Sequence, residues 1–258
     1  MSTLPHHLTR TVVINAPREM VFGYFTDSVR WASWWGAGST IDPSVGGRVY
    51  IRYPGNVEVS GHVVSIAAPE QIVFTYGFES GTPFGPGESR VEIALTSTGS
   101  GTQLTLSHAF AEASARDEHV QGWRYQLAVF SNLVTDALHA GAADTVDAWF
   151  AAWAEPEAEA RTKILERIAT TDITFRDRYS MLDGLPDLLP HIAASQRFMP
   201  GIRLTRQGAV RHCQGTVLAD WAATSSDGRT VMTGVNVFAL GADGKIQAAT
   251  GFATPNPT

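Results

Sequence analysis

A small-residue seam at residues 139–144 (His139-Ala140-Gly141-Ala142-Ala143-Asp144) separates two halves of the 258-residue chain, and each half carries both helical and strand-like patterns. A sheet with one apolar face must cover that face, and a chain of this length can do so twice. The expectation is α+β with two domains, residues 1–140 and 141–258. In each, a curved antiparallel sheet wraps against helices and leaves room for a pocket.

In the first half, residues 10–15 read as a strand, and Pro17 opens a short helix carrying Met20, Val21, Tyr24 and Phe25. A second short helix holds Trp31, Trp34 and Trp35. After the Gly46-Gly47 turn come strands at 48–53, 61–67, 72–78, 91–96 and 104–110, with Val49, Ile51 and Tyr53 alternating against Arg48, Tyr50 and Arg52. The Gly81–Gly87 stretch reads as a hairpin loop able to act as a lid. A helix from about 117 to 138 repeats Val120, Trp123, Leu127, Phe130 and Val134 as one apolar stripe.

The second half opens with Val146, Trp149, Phe150 and Trp153 at helical spacing. A helix follows at 157–168, then a strand at 172–179 that places Ile173, Phe175, Asp177 and Tyr179 on one face. A third helix at 185–198 precedes strands at 202–213, 215–224 and 230–240 and a short one after Lys245. In the last long strand Met232, Gly234, Asn236, Phe238 and Leu240 share one face and Val231, Thr233, Val235 and Val237 the other. Two apolar faces both need cover, so a homodimer through this sheet is expected.

Charge narrows the partners. Lys+Arg against Asp+Glu runs 8 to 12 in residues 1–140 and 11 to 13 beyond, for a net −6. Neither half has the basic surface that nucleic acid or an anionic membrane requires. No run is long and apolar enough for a membrane span or a signal core, so the expected location is cytoplasmic. His6-His7 is expected to fray. The lone Cys213 permits no internal disulfide, and its default place is a small core position. No spacing supports a metal site, and no Gly-x-Ser-x-Gly elbow or phosphate loop is present. No cofactor is implied.

Several motifs in the first half point one way: Ala16-Pro17-Arg18-Glu19-Met20-Val21-Phe22, Trp34-Trp35-Gly36, Gly46-Gly47-Arg48, Gly61-His62-Val63, Gly101-Thr102-Gln103-Leu104-Thr105-Leu106 and Gly122-Trp123 with Leu127. Together, over residues 9–138, they resemble the START-like (SRPBCC) helix-grip superfamily, in the branch named for an activator of the heat-shock protein 90 ATPase. The resemblance implies a single pocket domain. Nothing in the chain resembles the additional chaperone-binding domain of the eukaryotic activators.

In the second half, Ile173-Thr174-Phe175-Arg176-Asp177, Asp183-Gly184-Leu185-Pro186, Val217-Leu218-Ala219-Asp220-Trp221 and Val235-Asn236-Val237-Phe238 ahead of Asp243-Gly244-Lys245-Ile246 resemble the nuclear transport factor 2-like cone, in its SnoaL-like and ketosteroid-isomerase-like branch. That resemblance implies a proton-shuttling base at Asp177, an oxyanion donor at Asn236 and a further donor at Trp149. Asn236 and Trp149 depart from the acid and phenol of the isomerases, though an amide and an indole both donate.

The residues alone leave alternatives open. Asp177 on an apolar face is either a base of raised pKa or the partner of Arg176, Arg178, Arg197 or the Tyr179 hydroxyl. Trp34, Trp35 and Trp123 either line a pocket or fill a core. His108, between Leu106 and Phe110, is either a ligand anchor or a satisfied core histidine. In the cone, Trp149, Phe175, Tyr179 and Phe238 are candidate ligand contacts. The functional expectation is a binder of a small hydrophobic or aromatic molecule. The alternatives are a cofactor-free isomerase, cyclase or dehydratase with Asp177 as base, and a module that meets a chaperone or regulator.

Overall fold

The structure is a computed structural model, and it describes residues 3–99 and 101–254. The chain divides into two compact units, Met1–Thr135 and Asp136–Thr258. Each is described by itself.

In the first unit, β1 (His6–Ile14) precedes two short helices, α1 (Arg18–Gly23) and α2 (Ser28–Trp35). Pro17 caps α1 at the position where its missing N–H costs nothing, and Asp27 caps α2 by accepting the Arg30 N–H at 2.9 Å. Then come β2 (Thr40–Ile41), β3 (Arg48–Tyr53), β4 (Val57–Ala67), β5 (Gln71–Phe78), β6 (Ser89–Thr98) and β7 (Gly101–Phe110), and finally the long helix α3 (Ala113–Leu138). The seven strands form one antiparallel sheet in the order β1-β7-β6-β5-β4-β3-β2. Chain entry beside the last strand, with helices inserted early and a long one at the end, is the helix-grip arrangement.

Two glycines fix how closely strands and loops approach. A Cβ at Gly61 would lie 1.8 Å from the Thr75 carbonyl oxygen, and one at Gly77 would lie 1.7 Å from the Gly85 carbonyl oxygen. The second contact lets the Gly81–Gly87 loop fold down on β5, where the Phe78 N–H donates to the Phe84 carbonyl at 2.9 Å.

The second unit contains α4 (Ala142–Ala154), α5 (Ala158–Ile168), β8 (Ala169–Arg176), β9 (Met181–Asp183), α6 (Leu185–Phe198), β10 (Arg203–Cys213), β11 (Thr216–Thr224), β12 (Thr230–Leu240) and β13 (Ile246–Ala253). The sheet order is β10-β11-β12-β13-β8-β9. All neighbours are antiparallel except β13 and β8, which run parallel. The sheet ends at β10 and β9, so it is the curved sheet of an open, cone-shaped α+β unit. Trp149, Phe150, Phe175 and Phe238, all buried, fill its concave side.

β12 alternates as its sequence demands. Gly234, Asn236, Phe238 and Leu240 are buried, while Val235 and Val237 are half-buried and Val231 is exposed.

Three local expectations are corrected. His6 and His7 do not fray but pair with Phe110 and Ala109, because β1 needs its whole length to match β7. Cys213 is exposed, since it ends the edge strand β10 just before a turn. The strand through Ile173 stops at Arg176. Asp177 accepts the Tyr179 N–H at 2.8 Å and its own N–H donates to the Ser180 carbonyl at 3.0 Å, a local turn that competes with the ladder. Tyr179 therefore leaves the Phe175 face and stands 82% exposed.

Candidate ligand cavity and a second polar row

A cavity of about 320 Å³ lies in the first unit against α3. His119, Gly122, Trp123 and Gln126 line it from the helix, at successive i, i+3, i+4, i+7 positions of one face, with the exposed Glu118 beside them. The opposite wall is Trp35 at the end of α2, Tyr53 at the end of β3, and Tyr76 and Phe78 on β5, with Pro83 from the folded-down loop at the rim. The rings meet edge-on, Trp35 with Tyr53 at 5.7 Å and with Trp123 at 5.6 Å between centroids. A larger groove of about 960 Å³ runs past Thr75, Arg90, Glu92 and Ser107. Those are the outward-facing polar side chains of the same strands, and they give that groove a more polar wall than the first.

The polar groups around the cavity are few and their protons can be placed. The Trp123 indole N–H donates to His108 Nδ1 at 2.9 Å, which forces the proton of a neutral His108 onto Nε2. That N–H donates to Ser89 Oγ at 2.8 Å, and the Ser89 hydroxyl passes its own proton to the Tyr76 carbonyl at 2.7 Å. Burial holds His108 well below the ordinary histidine pKa, and the neighbouring His119 lowers it further. His119 donates Nδ1–H to the Ala115 carbonyl at 2.7 Å, and burial lowers its pKa too. Tyr53 Oη and Tyr76 Oη lie 3.2 Å apart. Burial pushes the Tyr76 phenol up to about 12 and raises Tyr53 well above its usual range, so both stay protonated.

Of the expected contacts in this unit, Trp35 and Trp123 line the cavity. Trp34 stands behind them, its ring 4.8 Å from Phe130 and 5.8 Å from Phe25. His108, fully buried with both ring nitrogens engaged, holds Trp123 in place and reaches no ligand. Tyr53, Tyr76 and His119 were missed. The alternation that put Val49 and Ile51 inward carried Tyr53 with them, and Tyr76 shares the Phe74 face of β5, so a period-two count would have found both phenols.

His108 makes the first unit acid-sensitive. Its folded pKa is depressed below the unfolded value of about 6.5, so below that pH the unfolded chain gains a proton that the folded chain refuses. Stability is complete above about pH 6.5 and is lost as pH falls, at ~1.4 kcal/mol per pH unit for one such group. Urea midpoints measured from pH 7 to pH 5 should fall, and less steeply in His108→Gln. Equal slopes in both proteins would contradict the assignment.

In the second unit, Asn236, Gly251 and Asp177 form a row across β12, β13 and the end of β8. Asn236 pairs with Gly251, and a Cβ at Gly251 would lie 3.1 Å from Asn236 Oδ1 and 3.6 Å from Asp177 Cβ. The Trp221 indole, which can only donate, binds Asn236 Oδ1 at 2.9 Å and leaves the amide N–H groups as the donors on offer. Asp177 is half-buried and lines a groove of about 700 Å³ together with Tyr179, Met232, Gly251 and Phe252. Buried Asn236 lies outside that lining. No Arg bonds the Asp177 carboxylate among the described residues; Arg176 pairs with Asp183 at 2.6 Å instead. His191 ties α6 to the Asp177 turn through Ser180 Oγ at 3.2 Å. Trp149 packs on Phe175 at 5.8 Å and on Phe238 at 5.7 Å between ring centroids. Asp220 pairs with Arg211 at 2.6 Å, and His212 is held by Asp136 and the Gly215 N–H.

Among the described residues no helix is long and apolar enough to cross a membrane, and no cluster of His, Cys, Asp and Glu could hold a metal ion. The family model described as activator of Hsp90 ATPase homolog 1-like protein matches residues 15–135. No curated protein matches the chain. A SnoaL-like family protein from Agrobacterium tumefaciens strain C58 is 23% identical over 46% of this chain and 99% of its own, with a TM-score of 0.43. The Aha1 dimer from Colwellia psychrerythraea is 14% identical over 47% of this chain and 90% of its own, at 0.42. CalU16 from Micromonospora echinospora is 25% identical over 48% of this chain and 74% of its own, at 0.38. Residues 15–135 thus match the activator of Hsp90 ATPase homolog 1-like family model over a unit of helix-grip arrangement, and the unit that follows is a curved, open α+β sheet.

Proposed function

We propose that the first unit binds one small, uncharged, largely aromatic molecule in the cavity against α3, without catalysing a reaction on it. The observation that carries this reading is the lining: rings of Trp35, Tyr53, Tyr76, Phe78 and Trp123 around about 320 Å³, with no Lys or Arg among the lining residues. Such a space lies at the small end of ligand pockets and suits two or three fused rings. An anionic ligand would lose its hydration there and meet no counter-ion, and the one carboxylate of the lining, Glu118, is exposed to solvent and screened. Native mass spectrometry of the full chain purified from its own host should show one co-purifying molecule per chain, released on acid unfolding. A bare protein mass that no hydrophobic extract of the host can shift would count against binding.

A second reading rests on the Asn236–Gly251–Asp177 row. The side-chain-free Gly251 leaves space between a carboxylate and an amide, an arrangement that suits proton abstraction next to a carbonyl, with Asp177 as base and Asn236 as donor to the enolate oxygen. Against a panel of cyclic enones, Asp177→Asn should reduce turnover at least about a hundredfold with substrate affinity nearly kept. Turnover that survives the substitution removes Asp177 as the base.

A further inference from the structure

Two donor groups on the wall of the cavity against α3 have no acceptor among the described residues. Between Tyr53 Oη and Tyr76 Oη, 3.2 Å apart, only one proton can lie. The hydroxyl that accepts it still has its own proton to donate, and among the described residues neither phenol has another side-chain or backbone partner. Trp35 adds a second such group. Its indole Nε1 is buried and has no partner among the described residues, while its ring, 4% exposed, stands on the Tyr53 ring at 5.7 Å and 87°. Buried donors without acceptors are rare in folded proteins, because each forfeits its hydration for nothing. Both belong to residues that line the same cavity.

The acceptor that completes them must come from whatever fills the space. It is a neutral oxygen, since no cation in the lining would offset a carboxylate or phosphate. The protonated phenols can give a proton to a carbonyl and cannot act as anions toward a ligand cation. On the helix side His119 uses Nδ1–H on Ala115, which leaves Nε2 as an acceptor on the cavity wall for a ligand hydroxyl.

Resting on the binding function proposed above, we infer that the ligand class is neutral aromatic carbonyl compounds, aryl ketones or quinones, whose carbonyl oxygen is read by the Tyr53–Tyr76 hydroxyl pair with Trp35 Nε1 beside it. The aromatic body supplies affinity through burial, and the oxygen supplies selection. An oxygen-free molecule of the same shape would cover the donors without satisfying them.

The test uses the full chain and two probes of matched shape, 2-acetylnaphthalene and 2-ethylnaphthalene, titrated by tryptophan fluorescence and calorimetry. The wild type should prefer the ketone about tenfold or more, although the hydrocarbon is the more hydrophobic of the two. The infrared carbonyl band of the bound ketone should lie at lower frequency than in hexane. Tyr53→Phe and Tyr76→Phe alone each leave one hydroxyl free to donate and should keep most of the preference. The double variant should lose it several-fold and return the band toward its hexane position. Should the double variant fail to fold, the band position in the wild type decides, and an unshifted band overturns the inference. Equal affinity for the two probes overturns it while leaving the aromatic cavity intact. A preference unchanged in a folded double variant overturns the tyrosine assignment, and failure of both probes to bind overturns the inference together with the binding function.

Discussion

Phe130→Ala should destabilise the first unit by about 3–5 kcal/mol, the range for deleting a fully buried aromatic ring. Phe130 is 0% exposed and is the point where α3 meets both short helices. Its ring lies 5.6 Å from Tyr24, 5.1 Å from Phe25 and 4.8 Å from Trp34. Removing it leaves a void that three rigid rings cannot collapse to fill, and it frees α3 to lift from the sheet that it clasps. Against a typical domain stability of ~5–15 kcal/mol, this is enough to put the unit near its unfolding threshold. Calorimetry should show the transition of the first unit moved down by roughly ten degrees or more. Phe198→Ala is the control. That ring is 86% exposed at the end of α6, and its loss should change stability by less than about 0.5 kcal/mol. Equal, small effects from both substitutions would mean that α3 is not held by its aromatic stripe.

The stripe itself was legible. Trp123, Leu127, Phe130 and Val134 repeat at helical spacing, and all four are buried. So were the inward row of β12 and the order of elements in both units, because helical and strand periods leave distinct marks wherever one face is buried. What escaped was set by pairing at a distance. The parallel register of β13 with β8 depends on how two remote segments meet, and nothing local to either encodes it. His6 and His7 looked like a loose end because no alternation marks them, yet β7 supplies partners for both. Asp177 and Tyr179 looked like strand residues because alternation was counted through an aspartate. A short acid that can hydrogen-bond its own turn ends a strand more readily than it continues one.

The candidate cavity shows the same division. Trp35 and Trp123 could be named from the sequence as large aromatic rings with two possible fates. Separating them from Trp34 needed the ring geometry, since adjacent positions on one short helix point to different places. His108 is the sharper case. A histidine between Leu106 and Phe110 looks available as an anchor, but its nitrogens are taken by Trp123 and Ser89, neither of which is its sequence neighbour. Its effect on the cavity is indirect: it orients an indole and puts a pH dependence into the unit that contains it.

Closing the mouth of the cavity should have the second large effect. Gly122 lies on the cavity-lining face of α3, and a Cβ added there meets nothing within 4 Å. A tryptophan at that position can project over the opening without moving the backbone. Replacing glycine inside a helix should also add roughly 0.5–1 kcal/mol of stability by restricting the unfolded chain. Occlusion and destabilisation therefore predict opposite shifts in melting temperature, which separates a blocked site from a damaged fold.

The decisive measurement is the affinity of the full chain for 2-acetylnaphthalene before and after Gly122→Trp, read by calorimetry beside the melting temperature of each protein. A ligand cavity against α3 requires saturable binding of one molecule per chain in the wild type. It also requires a loss of at least about tenfold in the variant, with melting unchanged or raised. Undiminished affinity in a well-folded Gly122→Trp protein would place binding elsewhere and contradict the account.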